Sequence, residues 1–242
     1  MNNKNLKLRL DKVLSHIGVG SRKDLKKMVK EQRITINGEL ATDPGVYVSP
    51  YVDVIAVNKK PIKYREFIYL MMNKPQGVLS ATEDRDDEVV VDLLEEEDWV
   101  FNPFPVGRLD KDTEGFLLLT NDGKLAHQIT SPKKHVPKTY YAVIEGIVTD
   151  ADADAFSKGV TLDDGYKTLP GELKILKSDT ESEIELTIYE GKYHQVKRMF
   201  EAVGKRVTYL KRISMGALPL DPELELGEYR ELTEEELELL KS

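Results

Sequence analysis

The chain has 242 residues, 40% of them hydrophobic and 32% charged, with a formal net charge of −8, long enough for one or two domains with cores of their own. Its mean hydropathy is −0.42 and no apolar run approaches the roughly 18 residues of a membrane span, so membrane functions are excluded from the expectation. Cysteine is absent and Met1 to Lys7 lack the apolar core of a secretory signal, which removes disulfides, thiolate metal sites and cysteine nucleophiles and fits a cytoplasmic protein.

The first sixty residues form a basic module. They hold twelve basic against six acidic residues, a net +6, which leaves −14 for the rest. Leu10, Val13, Leu14 and Ile17 follow the i, i+3, i+4, i+7 spacing of an apolar helix face, and Gly18 and Gly20 end that helix. Ser21 caps a second helix in which Leu25, Met28 and Val29 face inward while Arg22, Lys23, Lys26, Lys27 and Lys30 project elsewhere. Ile34 to Ile36 and Glu39 to Ala41 flank Asn37-Gly38, a hairpin signal, and Asp53 to Val57 supply another strand.

Domain boundaries are expected at 1–60 for this module, 61–66 for a polar linker broken by Pro61, and 67–242 for a larger domain. In that domain, strands are predicted at Phe67 to Met72, Phe116 to Thr120, Thr139 to Ile144, Glu183 to Tyr189 and Arg206 to Ile213. Helices are predicted at Gly123 to Ile129, Asp150 to Lys158, Lys192 to Val203 and, capped by Thr233, Glu234 to Lys241. Strands and helices do not alternate regularly, so the fold class is α+β: a mixed, mainly antiparallel sheet flanked by helices.

Charge is uneven here too. Lys192 to Arg212 hold seven basic residues against Glu201 alone, and Lys124 to Tyr141 hold four lysines and no acid. Acids gather at Glu83 to Asp98 and Asp221 to Glu238, expected as solvated surfaces. Basic islands on an acidic body suggest an oriented polyanion ligand.

His16, His127, His135 and His194 lack the helical pairing of a zinc site, and no phosphate-cradling glycine loop or Gly-x-Ser-x-Gly elbow occurs. A carboxylate is therefore the nucleophile or base to look for. The run Phe104-Pro105-Val106-Gly107-Arg108-Leu109-Asp110-Lys111-Asp112-Thr113-Glu114-Gly115 packs acids, bases and glycines tightly before an apolar strand, a place where a loop can fix side chains for catalysis. As an arbitrary loop it would be a solvated turn, and its two aspartates alone are a weak metal signal. Asp43-Pro44-Gly45 and Asp163-Asp164-Gly165 are turns.

Gly107 to Gly115 resembles the Gly-Arg-Leu-Asp signature of the ribosomal-RNA pseudouridine synthases, in the subgroup whose type member modifies small-subunit (16S) RNA. The likeness continues through Leu117 to Gly123, Thr130 to His135, Lys138-Thr139-Tyr140, and Glu190 to Met199, and takes in Asn73-Lys74-Pro75-Gln76-Gly77. Residues 8 to about 57 resemble the S4 RNA-binding module that precedes the catalytic domain in this subgroup.

The resemblance implies an enzyme that converts uridine to pseudouridine without cofactor or metal, acting as a monomer on 16S ribosomal RNA or a small-subunit assembly intermediate. Asp110 is then the essential carboxylate. Tyr140 stacks on the target base, and strand alternation turns Tyr141 the other way. Lys197 or Arg198 is the basic partner of the carboxylate; adjacent helical positions diverge by about 100°, and the register favours Lys197, leaving Arg198 for a phosphate. Arg108 takes the space of the flipped nucleotide or holds the loop, and Lys74 belongs to the substrate-binding set. Arg9, Arg22, Lys23, Lys26 and Lys27 contact RNA phosphate. The preference for 16S RNA rests on Lys192 to Phe200 and Ser131-Pro132-Lys133. Rivals are a 23S RNA synthase, a non-catalytic S4-type ribosome-assembly factor, and a metal-dependent transferase using Asp110 and Asp112.

Overall fold

The computed structural model describes residues 5–131 and 134–241. It divides into two compact units: the described residues up to Ile68 with Glu95–Asn102, and Tyr69–Leu94 with the described residues from Pro103 onward. Among the described residues no helix is long and apolar enough to cross a membrane.

In the first unit, β1 (Leu8–Arg9) leads into α1 (Leu10–His16), whose Leu10, Val13 and Leu14 are fully buried. Gly18 then turns the chain at φ 76°, where an added Cβ would meet Val100 at 2.8 Å. Ser21 opens α2 (Arg22–Lys30) with a capping box: the Asp24 N–H donates to Ser21 Oγ at 3.3 Å and the Ser21 N–H to Asp24 Oδ2 at 3.0 Å, satisfying two otherwise orphaned donors. Leu25 and Val29 are buried while Arg22, Lys23, Lys26 and Lys27 are exposed. β2 (Ile34–Ile36) and β3 (Glu39–Leu40) form the expected hairpin, with Asn37 at φ 51° and Gly38 at φ 88°, the positive pair that a two-residue turn of this hand needs. β4 (Tyr47–Val48) pairs with β1, and β5 (Ile55–Val57) lies between β2 and β6 (Lys60–Pro61).

Residues 61–66, expected as a linker, are built into this unit. Tyr64 is buried in the core that Leu10, Leu25, Ile34 and Ile55 form, and Ile62 packs against it. Glu95–Asn102, with the short α3 (Glu96–Trp99), also belongs here: Asp98 pairs with Arg65 at 3.2 Å and the Phe101 ring meets His16 edge-on at 5.5 Å. The second unit begins at Tyr69, and the acidic stretch 83–98 is not wholly a solvated face. Local composition cannot show that the apolar Val100-Phe101 pair packs against Gly18 and His16, more than eighty residues upstream.

The second unit is a nine-stranded sheet in the order β11-β12-β10-β13-β9-β7-β15, with β8 on β9 and β14 on β13. Its strands are β7 (Tyr69–Lys74), β8 (Phe104–Pro105), β9 (Glu114–Thr120), β10 (Lys138–Glu145), β11 (Glu172–Lys177), β12 (Glu181–Ile188), β13 (Arg206–Met215), β14 (Leu218–Pro219) and β15 (Tyr229–Glu231). Among the described residues only the β9–β13 strand pairing is parallel; the other strand pairings are antiparallel. The helices are α4 (Gly123–Thr130), α5 (Asp150–Lys158), α6 (Gln195–Glu201) and α7 (Glu234–Lys241). The fold is thus α+β with a mixed, mainly antiparallel sheet carrying helices.

β9 is the centre of this unit, with all seven residues buried. Phe116 and Leu118 share one core with Met71, Leu125, Ile129, Met215 and Leu240, each such side chain worth about 1.5–3 kcal/mol of burial. A continuous apolar strand covered on both faces is stiff, and it carries at its N-terminal end the loop from Gly107 to Thr113. α6 starts later than the predicted Lys192, because His194 sits at φ 48° and cannot join the helix.

Candidate active site

Three tethers hold the Gly107–Thr113 loop. Ser80 Oγ accepts from the Leu109 N–H at 3.1 Å and donates to the Leu109 carbonyl at 3.0 Å. Lys74, fully buried, donates from Nζ to the carbonyls of Pro75 at 2.9 Å, Thr113 at 3.1 Å and Asp110 at 3.2 Å. The Gly77 N–H meets the Lys111 carbonyl at 2.7 Å. Gly115 then enters β9 at φ 102°, where an added Cβ would lie 2.2 Å from the Arg212 carbonyl oxygen, so no other residue lets β9 and β13 approach this closely. Backbone held on all sides leaves the Asp110 side chain one direction to point.

That direction is toward the start of α6. Lys197 Nζ lies 3.4 Å from Asp110 Oδ2, and His194 Nε2 lies 3.5 Å from Asp110 Oδ1. Lys197 also donates to both oxygens of Asp112, at 2.7 and 2.9 Å, which holds the Asp112 carboxyl below the usual carboxylate range. An ammonium thus occupies the position between the two carboxylates that a metal ion would need. Among the described residues no group of three or more His, Asp or Glu side chains is arranged to hold a metal.

The turn that delivers His194 and Lys197 has its own scaffold. Gln195 and Glu190 are buried. Gln195 donates to Glu190 Oε1 at 2.9 Å and accepts from the Lys192 N–H at 2.9 Å, and Tyr166 donates to Glu190 Oε2 at 2.6 Å. Tyr193 stacks on His194 with ring centroids 3.8 Å apart and remains 74% exposed.

Asp110, Arg108, Lys138, Tyr140, His194 and Arg212 all line one pocket of about 1110 Å³ within the second unit. Tyr140 reaches it from β10 and is mostly buried. Tyr141 faces away, its hydroxyl 2.8 Å from Glu183 Oε2, as strand alternation requires. Arg108 is exposed at this pocket.

Three residues expected to contact substrate have other partners in the structure. Lys74 does not reach the pocket: its ammonium is used up on loop carbonyls, and burial pushes it down to about 8. Arg198 is not free for a phosphate, because its guanidinium pairs with Asp163 through Nε at 2.6 Å and with Asp164 at 2.7 Å. Those residues form the turn that sequence had left without a partner. Arg9 makes a two-pronged pair with the buried Asp11, at 3.0 and 2.7 Å, so the face it offers a polyanion is already partly neutralised. Arg22, Lys23, Lys26 and Lys27 stand exposed on α2, with Lys27 3.8 Å from Glu31. Pro132 and Lys133 lie outside the described residues.

Sequence reasoning missed Ser80, Asp112 as a partner of Lys197, the proximity of His194 to Asp110, and the pair Lys138 and Arg212. Lys138 carried a signal, two positions before Tyr140 and so on the same strand face. For Ser80 there was none.

A family model described as RNA pseudouridylate synthase matches residues 68–202, and an S4 domain model matches residues 8–50. An uncharacterized RNA pseudouridine synthase, YtzG, of Bacillus subtilis is 57% identical over 96% of this chain and 98% of its own. Ribosomal small subunit pseudouridine synthase A of Escherichia coli is 41% identical over 95% and 98%. Ribosomal large subunit pseudouridine synthase B of Bacillus subtilis is 40% identical over 97% and 96%.

Proposed function

The chain belongs to the RNA pseudouridylate synthase family, and on that premise we propose that it isomerises a uridine of ribosomal RNA with Asp110 as the essential carboxylate. Lys197 is the basic partner of Asp110, and Tyr140 is the ring on which the extruded base stacks. The observation that carries this reading is that Asp110 and Tyr140, from a loop and a strand, line one pocket, with Lys197 of α6 3.4 Å from the Asp110 carboxylate.

The reaction breaks the bond from ribose C1′ to uracil N1, rotates the base and joins C1′ to C5, with a proton lost from C5 and one gained at N1. It is redox-neutral and needs no energy source, so a carboxylate with a fixed cation beside it is a sufficient catalytic set. The target base must leave its stack, and a buried aromatic face opposite the carboxylate compensates for the lost stacking. Arg108, exposed beside Asp110, is placed to fill the space the nucleotide leaves. The exposed cations of α2 hold RNA phosphate and add affinity rather than sequence information.

Small-subunit RNA is the first substrate in this reading, on the Lys192 to Phe200 run, and the enzyme acts as a cytoplasmic monomer. The large-subunit relative, 40% identical, supports 23S RNA as the second. Mapping pseudouridines in ribosomal RNA from cells with and without the gene tests reaction and substrate together. Loss of one 16S site is the expected result; a 23S site selects the second reading, and unchanged maps of both RNAs reject the proposal.

A further inference from the structure

The pocket contains a donor set that the reaction as described does not use. Arg212 on β13 is 2% exposed. Its Nε donates to the Phe116 carbonyl at 2.7 Å, but its Nη2 is buried without any hydrogen-bond partner. Thr113 Oγ1, lining the same pocket, is also buried without a partner. Buried polar groups are almost always paired, so two unpaired ones on residues that line one cavity mark where a polar ligand belongs.

Lys138 adds to the same place. Arg212 is the cross-strand partner of Tyr140, and Lys138 precedes Tyr140 by two on the same face, so all three side chains meet on one side of the sheet. Lys138 donates to the Val136 carbonyl at 2.8 Å, which leaves ammonium protons over. Burial, with the charge of Arg212 second, pushes it down to about 8. Among the described residues no carboxylate pairs with either cation.

Arginine and lysine donate and never accept, so the missing group is an acceptor oxygen. Given the reading that a flipped uridine occupies this pocket, the base enters by the edge farthest from its sugar. The sugar stays near Asp110, whose side chain is 26% exposed, and the far edge reaches the most buried donor. On uracil the oxygen of that edge is O4; on cytosine the same position is an amino donor. We propose that Arg212, assisted by Lys138, donates to O4 of the flipped uracil and is the element that rejects cytosine.

The probe is a short RNA spanning the uridine that the enzyme converts, made with uridine, with cytidine, or with uridine and a methylphosphonate in place of the phosphate 5′ to it. Binding is measured in the Asp110→Asn background, so that no base is converted, with and without Arg212→Met, Arg212→Lys or Lys138→Met. The parent should prefer uridine over cytidine by tenfold or more, Arg212→Met and Lys138→Met should bring that preference within threefold, and Arg212→Lys should keep part of it. Thermal unfolding checks each variant. If Arg212→Met fails to fold for want of its bond to Phe116, Lys138→Met carries the test, since the Lys138 ammonium bonds to a carbonyl two residues away. Equal weakening toward uridine and cytidine overturns the inference, and an Arg212→Met effect that vanishes on the methylphosphonate RNA assigns the donor to phosphate instead. Failure of the enzyme with Asp110 intact to convert any ribosomal RNA site rejects the underlying reading; conversion with unaltered base preference in the variants rejects this inference alone.

Discussion

Ser80→Ala removes one oxygen atom and tests whether the loop of Asp110 is held as described. Ser80 Oγ is the partner of both the N–H and the carbonyl of Leu109, at 3.1 and 3.0 Å, and both residues are buried. With alanine, two backbone groups next to Asp110 lose their partner. An orphaned buried group costs about 1–3 kcal/mol, and water from the adjoining pocket recovers part of that, so the variant should lose roughly 2–4 kcal/mol of stability. For a chain of this size that is on the order of 10 °C in Tm. The chemical step should suffer more than the fold, because about 1 Å of misplacement at a reacting group costs on the order of a hundredfold in rate. Thermal unfolding followed by circular dichroism, with single-turnover conversion at saturating RNA, reads both effects. A Tm within 2 °C of the parent and a rate within twofold would show that Leu109 and Asp110 are positioned by something else.

The two adjacent cations of α6 should separate: Lys197→Met lowers the single-turnover rate a hundredfold or more, whereas Arg198→Met, which frees an exposed acidic turn, costs under about 1 kcal/mol of stability and leaves the rate within threefold. A rate defect in Arg198→Met instead would displace the helix register by one residue. Lys74 supplies a pH signature. Its folded value lies near 8 against an ordinary 10.5, so between those limits the unfolded chain holds more protons and stability rises with pH, by up to about 3 kcal/mol. Below pH 8 the penalty is fully present; denaturant titrations at pH 7 and 9.5 should show the rise in the parent and a smaller one in Lys74→Met, and equal rises would contradict the burial of that charge. Replacing Arg22, Lys23, Lys26 and Lys27 together by Gln should make the log–log salt slope of RNA binding less steep by about 3, to a similar degree on unrelated RNAs; an unchanged slope leaves α2 off the RNA.

Legibility from sequence followed chain locality. Asp110 was readable because its motif is contiguous, and α1, α2 and the Asn37-Gly38 hairpin because their signals span a few residues. The tethers of Asp110 were not, since Lys74 and Ser80 come from about thirty residues upstream and look like ordinary loop-flanking residues. The resemblance at Asn73 to Gly77 places Lys74 with the substrate contacts, and only burial shows it bonded to carbonyls. The ion pairs of Arg198 were hidden similarly, its partners Asp163 and Asp164 lying over thirty positions away. The extent of the first unit was not legible because Tyr64 is an aromatic residue in a charged stretch and Phe101 follows an acidic run, and only packing reveals what they join.

The central claim is that Asp110 carries the chemistry and not the binding. Its most direct test is conversion of the mapped ribosomal RNA segment under single-turnover conditions by the parent enzyme and by Asp110→Asn, with RNA affinity measured for both. The account predicts that the variant binds within threefold of the parent and forms no detectable pseudouridine; conversion within tenfold of the parent rate would contradict it.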